Sequence, residues 1–323
     1  MLLQQWQVGK EQDFGHPLPK GTYKLELNGK EKYLFEIIVD TLKRANNEYG
    51  VIIPWYIMTS KENNDQTVKF LKEKNYFDYP KDYIYIFEQE ELPLIDEQGK
   101  LLVGQDYLIK LASNGNGGIF NSMLKKGVIS NMEKRGIEWV FIGSVDNILL
   151  KSVDELLLGI TLENNNQIGT KTVLKRNPEE RVGVLCKQSN KIKVIEYTEL
   201  PKDIAVIADE NGELIFGESH IMCNLFSINA IKKASKEQLE YHIAFKKSNY
   251  LDNNQKLVEP QEPNAYKFEQ FIFDSFKLFD NISVLRGKRE EDFAPIKNMS
   301  GEDSPKTAKK LYEQYWKNKQ NMI

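Results

Sequence analysis

Apolar residues recur at helical spacing through Leu34, Ile37, Ile38 and Leu42, which predicts a helix over residues 31–47. The run Val51-Ile52-Ile53-Pro54-Trp55-Tyr56-Ile57-Met58 follows directly, rich in β-branched and aromatic side chains, and reads as a buried strand. The same alternation continues with a helix over 64–74, a strand over 83–87, a helix over 119–135, and the strand Trp139-Val140-Phe141-Ile142 that runs into Val145-Asp146-Asn147. Helix and strand taken in turn predict an α/β fold, a Rossmann-like, mixed but mostly parallel sheet with helical crossovers on its faces. Beyond Asp146 the pattern predicts a helix near 153–158 and short strands at 167–174, 182–186 and 192–196, an antiparallel extension over one edge of the sheet. Residues 230–249 read as a basic, solvated helix, and 266–279 as a helix carrying Phe268, Phe271, Ile272 and Phe276 on one side. Pro305 opens a last helix to about residue 317. The domain division expected is 1–300 for the main domain and 301–323 for a helical tail, with no internal repeat.

Composition narrows the function classes. A chain of 323 residues with 41% hydrophobic content can bury a sizeable core. Its net charge of −3 and dispersed basic residues give no electrostatic footprint for nucleic acid or a membrane surface. The polar N-terminus shows no signal peptide and no run spans a bilayer, so a cytoplasmic location is expected. Cys186 and Cys223 stand alone, and three histidines, His16, His220 and His242, leave little scope for a histidine-rich metal centre.

The chemistry-bearing feature is the pentad Asn114-Gly115-Asn116-Gly117-Gly118 together with Asp146 at a strand end. In open α/β sheets, ligands sit beyond the carboxyl ends of strands. A carboxylate there suits a magnesium ion that bridges to phosphate oxygens, and glycines let backbone approach a ligand closely. Such a pentad is also what a plain turn requires, and an Asp after a strand also serves as a helix cap.

Several further stretches extend the pattern over nearly the whole chain: Phe14-Gly15 with Pro19-Lys20-Gly21, Tyr56-Ile57-Met58-Thr59-Ser60, and Gln89 with Leu92-Pro93 and Gly99-Lys100. Asn116-Gly117-Gly118, Val145-Asp146-Asn147, Glu196-Tyr197-Thr198-Glu199, Phe271-Ile272-Phe273-Asp274 and the run from Arg289 to Asn298 complete it. In this order they resemble the UDP-N-acetylglucosamine pyrophosphorylases and related UDP-sugar pyrophosphorylases, whose fold is of the nucleotide-diphospho-sugar transferase type. The resemblance implies the reaction UTP plus sugar 1-phosphate to UDP-sugar plus pyrophosphate, with magnesium as cofactor. It implies that Lys20 holds the phosphates of UTP or pyrophosphate and that Lys297 neutralises the α-phosphoryl or sugar phosphate, an ammonium being a compact point charge. Gln89 would read uracil, since an amide offers donor and acceptor together. Gly115 and Gly117 would let backbone meet base and ribose, Asn116 and Glu196 would contact the sugar, Asp146 would bind magnesium, and Phe271 and Phe273 would wall the sugar pocket. For the two phenylalanines, ordinary core packing is the other reading.

Two departures from the family pattern stand out. At Ser219-His220-Ile221-Met222-Cys223-Asn224, His220 takes the place of the sugar-contacting asparagine, and an imidazole cannot copy an amide fork, which opens glucose or galactose 1-phosphate as alternatives. The family's loop Ala-Gly-Gly-x-Gly-Thr-Arg-Leu-Gly aligns on residues 7–15, where only Gly9 and Gly15 survive and Asp13 replaces the arginine. If Gln5 to Asp13 are encoded CAA TGG CAG GTG GGC AAG GAA CAA GAC, reading from the last base of the first codon gives Met-Ala-Gly-Gly-Gln-Gly-Thr-Arg. A frameshift near Asp13 and Phe14 accounts for the return of the whole motif, and implies a chain truncated at its N-terminus, without the first strand of the sheet and inactive as it stands. A non-catalytic UDP-sugar-binding protein is the other function such a chain could serve.

Overall fold

The computed structural model describes residues 2–5 and 16–320, so the departed loop at 7–15 and Asp13 lie outside the described residues. A nine-stranded sheet organises the chain. From one edge, Ile84–Glu88 pairs with Trp55–Thr59, which pairs with Leu2–Gln5, which pairs with Trp139–Ser144, all in parallel. Glu218–Ser227 then lies antiparallel to Trp139–Ser144 and opens the second half. It pairs with Ile168–Leu174, itself parallel to Ser283–Arg286, and at its other end with the hairpin of Val184–Gln188 and Lys191–Ile195.

Two expectations are corrected here. The sheet is mixed rather than mostly parallel, because the long strand Glu218–Ser227 runs against both of its principal neighbours. The first strand is not missing: Leu2–Gln5 fills the slot between Trp55–Thr59 and Trp139–Ser144, four residues being enough to ladder on both sides. The antiparallel extension is present, over the three segments where alternation placed it.

The period of two along each strand creates two cores. Trp55, Ile57 and Phe141 face the helices Leu34–Tyr49 and Glu155–Glu163 and the last helix, Pro305–Gln320, through Leu34, Leu42, Leu157, Ala308 and Tyr312. Tyr56, Met58, Val140 and Ile142 face the opposite layer, the helices Ile119–Lys125, Val128–Lys134 and Ile228–Ala234. The expected single helix over 119–135 is two, broken where Gly127 takes φ +70. Among the described residues no helix is long and apolar enough to cross a membrane.

Two helix expectations fail for identifiable reasons. Residues 230–249 hold only the helix Ile228–Ala234, after which His242–Lys246 forms a strand paired with Ala265–Glu269. Basic composition masked the alternation in His-Ile-Ala-Phe-Lys. Residues 266–279 comprise that second strand and a 3-10 turn over Ile272–Leu278. A helix is excluded between them because Gln270 spends its backbone on the glycine pentad, donating to Asn114 O (3.0 Å) and accepting from Gly117 N (2.7 Å).

Beneath the sheet, Lys171 is buried between two carboxylates, Asp154 and Asp292, with its Nζ 2.6 Å from Asp292 Oδ1. Burial works against its charge, but the two carboxylates hold its pKa above the ordinary value. Asp154 caps the helix Glu155–Glu163 and Asp292 opens the segment that carries Lys297, so one cation joins three elements. Lys171→Met should destabilise the fold by roughly 3–5 kcal/mol, because two buried carboxylates lose their counter-charge. Lys151→Ala, which removes a half-exposed ammonium 3.1 Å from Asp292, should cost at most about 1 kcal/mol. Urea unfolding of both variants checks the contrast.

Candidate functional site

Asp146 sits just beyond Trp139–Ser144 at the carboxyl edge of the parallel strands, where a doubly wound sheet places ligands. One carboxylate oxygen accepts from Ser144 Oγ, and the other lies 3.7 Å from Lys20 Nζ. Lys20 is delivered by the 3-10 turn Lys20–Thr22, which packs Gly21 flat against the Phe35 ring. Lys297 belongs to a segment that bridges to the Asp146 loop at Asn147 and Pro295. Ile296 N donates to Asp146 O (3.0 Å) and Ile148 N to Ala294 O (3.2 Å), so the strand-end loop and the segment bearing Lys297 are laced together. Among the described residues no three His, Cys, Asp or Glu side chains cluster as a metal site. The donor set fits magnesium in one mode only: a single hard carboxylate, with phosphate oxygens and water as the remaining ligands.

On the flank of Asp146 toward Ile84–Glu88, Gln89 is buried with its backbone N–H on Thr59 O (2.8 Å) and its side-chain Oε1 without a partner. Ser60 Oγ, at the end of the neighbouring strand, is likewise buried and unpartnered. Buried polar atoms are seldom left in that state, and these two lie side by side at the ends of adjacent parallel strands.

The glycine pentad does something the sequence did not reveal. A Cβ on Gly115 would meet Gln270 O at 2.5 Å, and one on Gly117 would meet the Phe271 backbone at 2.7 Å. The absent side chains make room for the chain's own segment 269–271. Asn116 is buried in the same clasp, its Oδ1 accepting from Ile272 N (2.7 Å) and its Nδ2 facing Met222 Sδ at 3.8 Å.

That clasp positions two phenylalanines. Phe271 and Phe273 stack with centroids 5.1 Å apart. His220 lies behind Phe273 in an edge-on contact of 5.7 Å, with a second edge contact to Phe276 at 5.9 Å. Its Nε2 donates to Asn224 Oδ1 at 2.9 Å across a bulge that throws Met222 to φ 51. Burial pushes the His220 pKa down to about 4, so the ring is neutral.

Glu196 follows the strand Lys191–Ile195, and its carboxyl is pushed up to about 7, by burial first and by the neighbouring Glu199 second, with Lys297 opposing both. The structure thus brings Asp146 and Lys20 together at the strand ends and ties the backbone next to Lys297 to that loop, with Lys297 Nζ over the Phe293 ring at 5.6 Å and in electrostatic reach of Glu196; Gln89 lies on one flank, and Glu196, Phe271, Phe273 and the buried His220 on the other.

One residue of this region escaped sequence reasoning. His242 lies between Asp274 and Glu199, 3.0 Å from each, with its ring centroid 4.7 Å from that of Phe271. The hydrogen bond to Asp274 is the main cause that lifts its pKa, to about 9, against the effect of burial. Its only signal in the sequence was the alternation of residues 242–246.

A sequence model of the family described as "UTP--glucose-1-phosphate uridylyltransferase" matches residues 7–312. Among curated proteins, the chain is 33% identical over 316 residues to the UDP-N-acetylglucosamine pyrophosphorylase of Saccharomyces cerevisiae, covering 94% of this chain and 66% of that one. It is 33% identical over 312 residues to the human UDP-N-acetylhexosamine pyrophosphorylase-like protein 1, covering 93% and 61%. Among solved structures, the uridine diphosphate N-acetylglucosamine pyrophosphorylase of Trypanosoma brucei, in complex with an inhibitor, superposes with a TM-score of 0.83 at 27% identity, over 96% of this chain and 64% of that one. The chain therefore spans less than two thirds of the length of these relatives.

The raised pKa of Glu196 sets a pH dependence. The folded chain holds a proton that the unfolded chain releases at about 4.5, so stability is complete below that pH and falls as pH rises toward about 7. Glu196→Gln, which mimics the protonated form, should remove this decline, which amounts to a few kcal/mol at about 1.4 kcal/mol per unit. Urea midpoints of wild type and variant across that window check it; parallel curves would show that Glu196 does not titrate high.

Proposed function

The chain belongs to the UTP–glucose-1-phosphate uridylyltransferase family, and on that premise we propose that its site is built for uridylyl transfer from UTP to a hexose 1-phosphate, with N-acetylglucosamine 1-phosphate as the preferred acceptor. The observation that supports the reading is the meeting of two segments at Asp146: Lys20 Nζ stands 3.7 Å from its carboxylate, and the segment that carries Lys297 is hydrogen-bonded to its backbone.

In this reading the sugar phosphate oxygen attacks the α-phosphorus of UTP in line. The new P–O bond forms as the bond to the β-phosphate breaks, and pyrophosphate leaves with the electron pair. The nucleophile is already anionic, so no general base and no covalent enzyme intermediate are needed, and catalysis is positioning plus charge stabilisation. Lys20 holds the β- and γ-phosphates, and Lys297 meets the charge on the α-phosphoryl and sugar phosphate. Asp146 would hold magnesium, and the ion would supply charge neutralisation at the reacting phosphates. Gln89 offers its unpartnered Oε1 to the uracil imide, with the backbone at Gly115 and Gly117 beside base and ribose. Glu196 and Asn116 face the sugar, Phe271 and Phe273 close over it, and His220 sets the position of Phe273 from behind, which makes it the residue through which sugar choice is tuned.

A second reading is favoured by Asp13. A carboxylate in place of the loop arginine repels phosphate, so the chain as given is expected to bind UDP-sugar without turning over, the outcome of a frameshift in the gene. Preorganised donors of the kind the family loop supplies are worth roughly two to three orders of magnitude each.

The test measures pyrophosphate release from UTP and N-acetylglucosamine 1-phosphate, alongside calorimetric binding of UDP-N-acetylglucosamine. The chain with its loop rewritten to Ala-Gly-Gly-Gln-Gly-Thr-Arg should turn over, and the given chain should bind only. In the rewritten chain, Asp146→Asn should lower kcat by about 10²-fold or more with UDP-sugar affinity little changed. Turnover equal to that of the parent would remove Asp146 from the site, and failure of both chains to bind UDP-N-acetylglucosamine would sink the functional reading.

A further inference from the structure

His242 is tied to both expected sugar-contacting elements through shared carboxylates. Asp274 Oδ2 accepts from His242 Nε2 (3.0 Å) and from the backbone N–H of Phe271 (3.2 Å). Glu199 Oε1 accepts from His242 Nδ1 (3.0 Å), while Glu199 Oε2 accepts from the backbone N–H of Glu196 (3.3 Å). Each carboxylate thus bridges the imidazole to the main chain of one residue, Glu196 on one side and Phe271 on the other. The ring also lies against Phe271, and at 6.2 Å from Phe273. Both nitrogens donate only when the ring is protonated; a neutral imidazole can serve one carboxylate and presents a lone pair to the other.

We propose that His242 is a positioning residue for the sugar side of the site, an imidazolium clasp that fixes Glu196 relative to Phe271 and Phe273 and so sets affinity for the hexose moiety without touching the nucleotide. This deepens the functional reading above and rests on it. Other charges face the clasp as well: Glu240, Lys193 and Lys277 line the adjoining cavity of about 200 Å³ with Asp274 and Glu199, and Glu196 is within electrostatic reach. The carboxylates that hydrogen-bond the ring dominate, which agrees with a pKa lifted to about 9. The folded state keeps the proton that an unfolded histidine loses near 6.5, so the clasp is intact at neutral pH and opens as pH rises through about 9.

The experiment compares UDP-N-acetylglucosamine with UDP by calorimetry, using the full chain and its His242→Gln variant, which can satisfy one carboxylate and carries no charge. The variant should bind the UDP-sugar about tenfold more weakly, the scale of one charge-assisted hydrogen bond, and bind UDP as the parent does, which also shows that it is folded. The parent should lose the same factor as pH rises through about 9, and the variant should not. A ligand-free readout comes from histidine NMR, which three histidines make tractable: His242 should titrate near 9 while His220 stays neutral to about 4. UDP-sugar affinity indifferent to His242, an equal loss for both nucleotides, or a His242 pKa at or below the ordinary value would overturn the inference. A parent that binds neither nucleotide would bring down the functional reading, and this inference with it.

Discussion

The side-chain amide of Asn147 is the hinge-pin of the site. Its Nδ2 donates to Asp292 O (2.8 Å), and its Oδ1 accepts from Ala294 N (2.9 Å) and Leu149 N (3.2 Å), all in a buried setting. Three backbone groups of two distant segments are satisfied by one planar group, so no other side chain of similar size could replace it without leaving buried polar atoms unpaired. Through it the chain direction at 292–297 is fixed against the loop after Trp139–Ser144. Lys171 holds the same segment from below through Asp292. The position of this segment therefore depends on one neutral amide and one buried ion pair, neither of which belongs to the proposed chemistry.

Local pattern made the parallel half of the sheet legible. Trp55, Ile57 and Phe141 alternate with Tyr56, Met58, Val140 and Ile142, and each set finds its own core. In the antiparallel half Ile168–Leu174, Val184–Gln188 and Lys191–Ile195 were legible as strands, whereas Glu218–Ser227, which sets the direction of that half, and Ser283–Arg286 were not read as strands at all; nor does alternation say which chain lies alongside. Residues 266–279 were misread for a related reason. Their phenylalanines fall at helical spacing, but the backbone at Gln270 is claimed by Asn114 and Gly117, a tertiary contact that no local signal encodes.

The candidate site divides the same way. Asp146, Lys20 and Lys297 stood in motifs whose order along the chain marks them; the structure sets Lys20 beside Asp146 and hydrogen-bonds the backbone next to Lys297 to the Asp146 loop. Gly115 and Gly117 were singled out for close approach to a ligand, whereas the body the structure shows against them is the chain's own segment 269–271. His242 was passed over because its partners Glu199 and Asp274 are far away in sequence and because lysines beside it suggested a solvated surface. A histidine becomes interesting only when its two nitrogens find carboxylates, and that is a fact of three dimensions.

The place of Leu2–Gln5 has a consequence for how this chain reaches its fold. Leu2 lies opposite both Trp55 and Phe141, so the strand at the middle of the sheet is paired entirely with residues remote from it in sequence. Loop closure on that scale must precede any gain from the ladder, and topologies dominated by such contacts fold slowly. Until Trp139–Ser144 has left the ribosome, the first two strands can form at most half of the central pairing. The nascent chain is thus left with an unpaired strand edge beside the apolar run Trp55–Thr59, the condition in which a chain is most exposed to aggregation and has most use for a chaperone.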